Sequence, residues 1–407
     1  MQRVEAEILI PGRGEPVRDG VVVLDGPCIA YAGIADAAPA TPGAPVVRAT
    51  AAMPGMWDCH AHLFGVATLD LERLAATPVA LRAARSVPDL RAALDAGFTS
   101  VRELGGLGIH LATAIAEGSV VGPSIYPAGA ILSTTGGHGD IHGFPTAWVH
   151  QAAQASPELR LCDGEADCIR AVREQLRSNA KVIKVCVSGG VASEVDDPMH
   201  QQFTAGELSA MVEVAGMAER AVAAHCHGKA GIMAAVEAGV HTVEHGTYLD
   251  EEACDAMRET GTILVATRTV VDDLRQYGQL PPAAHEKLLP VAERHAEAIA
   301  LAHERGVTIA AGSDIGLRSG GPSASWGRHG REPVLLHDIG MTPLEAIEAV
   351  TATALRTLGP QAPNSGVLTG GYDADVITLD ANPLVDIDVL AEPDHVTAVW
   401  KAGVRCK

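Results

Sequence analysis

Short apolar runs alternate with helical segments from residue 53 to about residue 358, and this alternation restricts the possible folds more than any other feature of the sequence. Eight of the runs predict β-strands, at residues 52–56, 100–104, 124–128, 182–187, 221–225, 242–244, 263–266 and 308–311. Helices are predicted between most of them, at residues 87–96, 165–178, 205–220, 229–238 and 283–305. Eight strands alternating with helices are typical of an α/β protein with a (β/α)8 TIM-like barrel, and a doubly wound open sheet is the competing architecture.

The two ends of the chain have a different pattern from the middle. Strand-like runs at residues 4–9 and 20–24 are separated by Gly and Pro, and similar runs recur at residues 375–379 and 395–401. We therefore predict a small composite β-sandwich domain, formed by residues 1–52 together with residues 362–407. The (β/α)8 barrel would then occupy residues 53–361.

The charge and cysteine content exclude several classes of partner and site. A formal net charge of −20, from 30 basic and 50 acidic residues, argues against binding to nucleic acid or to an anionic membrane. The eight cysteines include no C-x-x-C pair, which argues against a zinc ribbon and a dense disulfide framework. The first residues lack a signal-peptide pattern, and the sequence has no run of about 18 apolar residues. These features predict a cytoplasmic protein that acts on a small molecule.

Four histidines lie at or near the carboxyl ends of predicted strands. His60 and His62 form an H-x-H pair, and alternate residues of an extended segment face the same way, so both imidazoles could converge on one metal ion. His225 and His245 lie at the ends of two consecutive predicted strands. Each histidine taken alone could equally be an exposed loop residue or a hydrogen-bonded core residue. Their common position at strand ends, where barrel active sites lie, favours metal ligation.

Two charged residues occur in apolar surroundings. Lys184 lies inside the run VIKVCV, and Asp314 follows the predicted strand at residues 308–311 in the segment GSDIG. A buried charge is costly unless it is paired or binds a metal, so both residues are candidates for a functional site. The alternatives are a Lys184 side chain that extends to the barrel rim and an Asp314 that caps the next helix.

Seven segments that together span nearly the whole chain carry a family resemblance. They are PGMWDCHAHL, STTGGHGD, VIKVCVSGGVAS, AVAAHCHGKAGIMAAVEAGVHTVEHGTYLD, AGSDIG, HGREPVLLHDIGMTPLEAIEAVTATAL and GVLTGGYDADVITLDANPLVDI. In this order they resemble the amidohydrolase superfamily. The resemblance is strongest to its imidazolonepropionase-like and prolidase-like branch, which includes Xaa-Arg carboxypeptidases and ochratoxinase.

The resemblance implies a centre with two divalent metal ions. Zinc is the preferred metal, although histidine and carboxylate ligands also suit manganese, cobalt and iron. Lys184 would be carboxylated by CO2, and the anionic carbamate would bridge the two ions. The implied ligands are His60, His62 and Asp314 for one metal, His225 and His245 for the other, and Lys184 between them.

The resemblance also implies catalytic roles for residues around the metals. Asp314 would accept a proton from metal-activated hydroxide and deliver it to the departing amine. His138, in the segment TTGGHGD, would hold the carbonyl or carboxylate of the substrate. Tyr248, His329 and Arg331 are further predicted substrate contacts.

The predicted activity is hydrolysis of an amide bond beside a free carboxylate, as in a dipeptide or an N-acyl amino acid. Ring opening of a cyclic amide, deamination of a heterocycle and a specialised biosynthetic amide hydrolysis are the alternatives within the enzyme class. An inactive relative that serves in binding or assembly is the alternative outside it. We also expect a homo-oligomer.

Overall fold

The computed structural model describes residues 1–68, 70–156, 158–277, 280 and 282–407. Its β-strands, in chain order, are β1 (Gln2–Leu9), β2 (Val17–Asp25), β3 (Cys28–Ile34), β4 (Val46–Pro54), β5 (Met56–Val66), β6 (Phe98–Glu103), β7 (Ser124–Pro127), β8 (Ile131–Ser133), β9 (Leu159–Leu161), β10 (Val182–Cys186), β11 (Ala221–Cys226), β12 (Thr242–His245), β13 (Ile263–Val265), β14 (Ile309–Ala310), β15 (Ile315–Leu317), β16 (Val376–Leu379), β17 (Val396–Lys401) and β18 (Val404–Arg405).

Helices lie between most of the strands of the middle segment. They are α1 (Leu71–Ala76), α2 (Val79–Asp95), α3 (Gly108–Ala116), α4 (Thr146–Ala155), α5 (Glu165–Arg177), α6 (Ala205–Met217), α7 (Lys229–Ala238), α8 (Glu251–Thr260), α9 (Arg268–Tyr277), α10 (Pro282–Glu304), α11 (Arg331–Asp338) and α12 (Pro343–Ala349), with 3-10 segments at Ala35–Ala37, Ala354–Gln361, Ile387–Leu390 and Pro393–His395. None of the described helices has the length and hydropathy needed to cross a bilayer.

Strands from both ends of the chain share one sheet. In the described part of the chain this is a seven-stranded sheet in the order β18-β17-β16-β4-β1-β2-β3. Its centre is β4, which pairs in parallel with β1 and antiparallel with β16. The fully buried Trp400 side chain donates from Nε1 to Oε1 of Gln2 at 2.9 Å, which fixes β17 close to the start of β1.

The middle of the chain is an α/β unit with parallel sheets. Among the described residues, one sheet has the order β14-β13-β12-β11-β10-β8-β9 and the other β15-β5-β6-β7. Neighbours in both sheets are parallel, and most follow one another along the chain. Parallel strands must be joined by crossovers, and helices α5 to α8 supply several of them while burying one face against the sheet.

Backbone hydrogen bonds join the two parallel sheets at both margins. Cys59 N in β5 donates to Ala311 O, directly after β14, at 3.0 Å. Lys181 N, directly before β10, donates to Pro127 O at the end of β7 at 2.7 Å. The carboxyl ends of β5, β10, β11, β12 and β14 therefore face a common space.

The start of the parallel unit differs from the prediction. The expected strand at residues 52–56 is divided between β4, which belongs to the composite sheet, and β5, which begins at Met56 after Gly55. The segment DCHAH consequently lies inside the 11-residue strand β5 rather than after a strand. The short strands β8, β9 and β15 were not predicted, because three residues are too few to establish a periodicity.

Candidate metal centre

Strand β5 brings His60 and His62 to one face, where their rings are held in fixed orientations. His60 Nδ1 donates to Glu244 Oε2 at 2.8 Å, and His62 Nδ1 donates to Gly105 O at 2.9 Å. Each ring therefore directs Nε2 into the site, and these atoms lie 3.5 Å and 3.2 Å from Asp314 Oδ1. We call His60, His62 and Asp314 the HHD group; one ligand atom of each lies within 4.8 Å of the others.

Asp314 is positioned by strained backbone and by its neighbours. Its φ of +55° lies in the left-handed region, and its N–H donates to His60 O at 2.6 Å. The next residue back, Ser313, donates from its backbone N to Asp58 Oδ1 at 3.0 Å, and the same oxygen accepts from His60 N at 2.9 Å. Burial alone would raise the pKa of Asp314, but His60 and His62 outweigh it and hold that pKa below its ordinary range. Asp314 is therefore an anion that faces two imidazoles.

A second cluster consists of His225, His227 and His245, which we call the three-histidine group. Their ligand atoms also lie within 4.8 Å of one another. His225 Nε2 donates to Gly189 O at 3.1 Å, while Nδ1 of His227 and of His245 are hydrogen-bonded to threonine hydroxyls at 2.7 Å. One nitrogen of each ring is thus engaged by the protein and the other is free for a ligand.

Left-handed backbone recurs around these clusters at residues that are not glycine. His245 has a φ of +71° and Thr267, whose hydroxyl contacts His245, has a φ of +52°. Such conformations cost about 1–3 kcal/mol each and are found mainly where the surrounding structure imposes them at functional sites. Together with Asp314, they place polar side chains at strand ends where the regular strand direction would not.

Lys184 lies in β10, next to the HHD group. Its Nζ is 3.2 Å from His60 Nε2, and only 3% of the residue is exposed. Burial lowers the pKa of Lys184, since a desolvated ammonium is unstable. The Nζ atom is therefore directed into the site, where burial disfavours its charged form.

The donor atoms at this position suit divalent cations. Burial lowers the pKa of His60 to about 4, and it holds the pKa of His225 and of His245 well below the ordinary value. These imidazoles are therefore neutral at neutral pH, which is the form that binds metals. With the Asp314 carboxylate beside them, the two groups offer the N and O ligands that zinc and related transition metals prefer.

Beneath His60 lies a buried ion pair that the sequence analysis missed. Arg102 Nη2 donates to both carboxylate oxygens of Glu244 at 2.8 Å, and both residues are fully buried. Burial alone would raise the pKa of Glu244, but the charge of Arg102 lowers it to about 2. An ionised Glu244 in turn fixes the tautomer of His60, with the proton on Nδ1. The sequence did contain a signal for this pair, namely a charged residue inside a predicted strand, as with Lys184. Arg102 lies in the segment TSVREL and Glu244 in the segment HTVEHG.

We predict that Glu244→Gln weakens metal binding by about 10–100-fold, the usual effect of losing a partner that orients a ligand. It should also lower the free energy of unfolding by about 3–5 kcal/mol, because Arg102 is left buried without a counter-charge. A chelator competition titration measures the first effect and denaturant unfolding the second. Glu213→Gln, at an exposed position in α6, is the matched control. An unchanged chelator midpoint in Glu244→Gln would show that Glu244 does not orient His60.

A large cavity opens above the two groups, with an empty volume of about 1200 Å³ that includes its mouth. Its floor is polar and its walls are mainly apolar. The apolar wall comprises Phe64, Val66, Leu71, Leu74, Ile131, Leu159, Val191, Val270, Val271, Leu274, Leu280, Leu288 and Val291. Among the described residues that line the cavity, none is an arginine and Lys184 is the one lysine.

Of the residues predicted to contact substrate, His138 lines this cavity. Its ring is stacked on that of His225, with centroids 4.3 Å apart, and its Nδ1 is 2.9 Å from Ser193 Oγ. Burial lowers the pKa of His138 to about 4, so it is neutral at neutral pH. The predicted metal ligands and His138 are therefore brought together.

The other three predicted substrate contacts lie elsewhere. His329 is fully buried behind the HHD group, where its Nδ1 donates to Asp58 Oδ2 at 2.7 Å. Arg331 forms ion pairs with Asp272 and Asp273 of α9. Tyr248 is half-buried, and neither it nor Arg331 is among the described residues that line the cavity. As substrate contacts, all three stay predictions without support from this geometry.

His227 is a site residue that the sequence analysis did not propose. It lines the cavity, and its ring is stacked on His245 with centroids 4.9 Å apart. The signal was present, since His225 and His227 form the same H-x-H pattern as His60 and His62.

A family comparison agrees with this geometry. The model of the amidohydrolase family matches residues 51–406, which is most of the chain. The chain belongs to the amidohydrolase family. It is accordingly a hydrolase that acts on amide bonds, in a family that is generally metal-dependent.

Individual amidohydrolases agree with the predicted branch. Ochratoxinase from Aspergillus niger is 43% identical over 421 aligned residues, which cover 98% of this chain and 85% of that enzyme. Its crystal structure superposes with a TM-score of 0.92 at 42% identity, covering 100% of this chain and 95% of the other. A prolidase solved with N-methylphosphonate-L-proline superposes with a TM-score of 0.90 at 33% identity, covering 100% and 99%.

A more distant amidohydrolase relative is the imidazolonepropionase of Rhodococcus jostii. It is 28% identical over 407 aligned residues, covering 95% of this chain and 88% of that enzyme. The prediction of the imidazolonepropionase-like and prolidase-like branch is thus confirmed.

Proposed function

We propose that this amidohydrolase uses two metal ions to hydrolyse an amide bond beside a free carboxylate, in a dipeptide or N-acyl amino acid with a bulky apolar group. The carrying observation is the position of the HHD and three-histidine groups on the floor of one cavity with apolar walls. Apolar walls favour a substrate whose groups beside the amide are large and uncharged. The similarity to ochratoxinase and to a prolidase supports an amide substrate of this kind.

In this proposal the ligands are those that the sequence suggests. One metal, with zinc preferred, would be held by His60, His62 and Asp314, and the other by His225 and His245. Lys184, carboxylated by CO2, would supply an anionic ligand to both. The burial that lowers the pKa of Lys184 favours this reaction, because a free lone pair must attack the carbon of CO2.

When bound, the two cations would lower the pKa of a water molecule and polarise the scissile carbonyl. Asp314 lies where it can accept a proton beside His60 and His62 and return it to the departing amine. His138 lies over His225 and holds the carbonyl or carboxylate of the substrate. The apolar wall excludes water, which strengthens these polar contacts.

The architecture proposed for this reaction is a closed (β/α)8 barrel over residues 53–361, with a composite β-sandwich domain from residues 1–52 and 362–407. Hydrogen bonds at both margins of the parallel sheets support closure. Strands that mostly follow one another along the chain also argue against a doubly wound sheet, whose strand order reverses. A homo-oligomer stays a prediction, which light scattering on the purified protein would check.

A second candidate function is hydrolysis of a neutral cyclic amide. No arginine is among the described residues lining the cavity, so no guanidinium there is available to pair with a substrate carboxylate. The similarity to an imidazolonepropionase also favours a cyclic substrate. Under this alternative, His138 would contact a ring carbonyl.

A substrate panel separates the two functions. N-acyl derivatives of phenylalanine and leucine, Xaa-Pro dipeptides, their carboxamide counterparts and small cyclic amides are incubated with protein of measured metal content. We expect turnover of apolar N-acyl amino acids, its loss on chelation, and its return on addition of zinc and bicarbonate. The carboxamides should react at least about tenfold more slowly, the cost of roughly one lost charged hydrogen bond. Turnover of cyclic amides alone would contradict the first proposal and support the second.

A further inference from the structure

Lys287, a lysine that does not belong to the metal centre, binds the loop at residues 190–196, and this loop lines part of the cavity. Lys287 lies in the first turns of α10, and its Nζ donates to the carbonyl oxygens of Gly190, Ser193 and Asp196 at 2.9, 2.6 and 2.8 Å. Its side chain is 17% exposed. An ammonium has three N–H donors, and all three find a carbonyl acceptor of the same loop here.

The same loop is closed on itself beneath this lysine. Asp196 Oδ2 accepts from Gly190 N at 2.8 Å and from Gln202 Nε2 at 3.3 Å. Its other oxygen, Oδ1, is 3.6 Å from Lys287 Nζ. The ammonium and the carboxylate therefore hold residues 190–196 in one compact turn after β10.

This loop packs directly on His138. Ser193 Oγ is 2.9 Å from Nδ1 of His138, and Gln202 Oε1 accepts from the His138 backbone N at 3.1 Å. A Cβ at Gly190 would overlap the His138 ring, so the loop backbone lies against one face of it. The ring of His225 is stacked with it at 4.3 Å. His138 is thus held between a metal-ligand candidate and the loop that Lys287 binds.

Helix α10 also forms part of the cavity. Leu288 and Val291, next to Lys287 on the same helix, line its apolar wall. Lys287 therefore connects the wall that faces an apolar substrate group to the loop that orients His138.

We propose that Lys287 is a positioning residue, which fixes His138 over the three-histidine group by binding three carbonyls of the loop at residues 190–196. The contact of His138 with substrate rests on the function proposed above, whereas the fixing of the loop does not. Lys287 itself does not line the cavity among the described residues, so its effect must pass through the loop.

Hydrogen–deuterium exchange of the metal-loaded protein tests whether Lys287 fixes the loop at residues 190–196. In Lys287→Met, amides of residues 189–200 should exchange about tenfold faster or more, while exchange in the composite sheet is unchanged, since opening becomes easier by about 1.4 kcal/mol. Lys287→Arg should behave similarly, because a planar guanidinium cannot direct three donors to three converging carbonyls. Lys181→Met is the control, since Lys181 Nζ bonds the Asn179 side chain at the surface. Wild-type protection of the loop in both Lys287 variants overturns the proposal, and if Lys287→Met does not fold, Lys287→Arg decides.

A double-mutant cycle with His138→Ala tests whether Lys287 acts on the reaction by positioning His138. Lys287→Met should lower kcat/KM about tenfold in the wild-type background and less than about twofold in the His138→Ala background, because both changes remove the same contact. Equal kcat/KM losses in both backgrounds would mean that Lys287 acts independently of His138, which overturns the positioning role. If no substrate is turned over, the proposed function fails while the exchange result still decides whether Lys287 fixes the loop.

Discussion

Lys184→Ala is expected to lower kcat/KM by about a thousandfold or more and to reduce metal content from about two ions per chain to one or fewer. The reason is electrostatic. Two divalent cations beside mainly neutral imidazoles need anionic partners. Among the described residues of the two groups, Asp314 is the one carboxylate, so the proposed Lys184 carbamate would supply the second negative charge. Loss of the charge stabilisation that metals provide is worth several kcal/mol, and about 1.4 kcal/mol corresponds to a tenfold change in rate.

The metal measurement separates this expectation from a general loss of structure. Metal content is measured by elemental analysis and kcat/KM on the best substrate of the panel, with Lys181→Ala as the control at a partly exposed lysine. Folding of Lys184→Ala is checked by thermal unfolding. The metal-free forms of Lys184→Ala and of the wild type are compared, because loss of a bound metal by itself lowers the unfolding temperature. Two tightly bound metals and near-normal turnover in Lys184→Ala would rule out a bridging role for this residue.

Asp314→Asn should lower kcat by about 10²–10⁴-fold, the usual contribution of a general acid–base residue. Asparagine has nearly the same shape, so the left-handed backbone at position 314 and its hydrogen bond to His60 O should be kept. An amide cannot accept the proton, and it is a weaker metal ligand than a carboxylate. The largest loss should therefore be in kcat, while KM for an apolar substrate changes little because the walls of the cavity are intact.

Asp36→Asn, at an exposed position of the composite sheet region, is the control for this substitution. Metal content must be measured in parallel, since the HHD group loses its one carboxylate. Asp314→Asn with wild-type kcat at full metal occupancy would exclude Asp314 as the proton acceptor. A kcat that returns fully when excess zinc is added would assign the residue a ligand role alone.

Much of the site was predictable because it depends on the ends of parallel strands. The carboxyl ends of β5, β10, β11 and β12 meet at one edge of the sheets, so polar residues in or directly after apolar runs become neighbours. That reasoning predicts that His225, His245 and Asp314 lie near Lys184, and in the structure they line one cavity with it. It needed no knowledge of how the helices pack. His60 lines the same cavity, although it lies inside β5 rather than at its end.

The residues that sequence reasoning placed less well depend on contacts between distant segments. Arg331 was predicted as a substrate contact because it is a cation in a matching segment. In the structure it forms ion pairs with Asp272 and Asp273 of α9, and no local sequence pattern indicates this pairing. Similarly, the apolar residues of α9 and α10 that form the cavity wall cannot be distinguished in the sequence from residues that pack in the core. The role of Lys287 depends on three backbone carbonyls of a loop almost a hundred residues earlier, which no side-chain pattern records.

The central position of β4 has a consequence for biosynthesis. Residues 51–54 of β4 pair with residues 376–379 of β16, which are synthesised about 325 residues later. At a translation rate of about 5–20 residues per second, this delay lasts roughly 15 to 65 seconds. Throughout it, the nascent chain carries an open strand edge with Ala51, Ala52 and Met53, all of which are fully buried in the finished protein. A chain that ends before residue 376 therefore lacks the strand that covers this edge in the finished sheet.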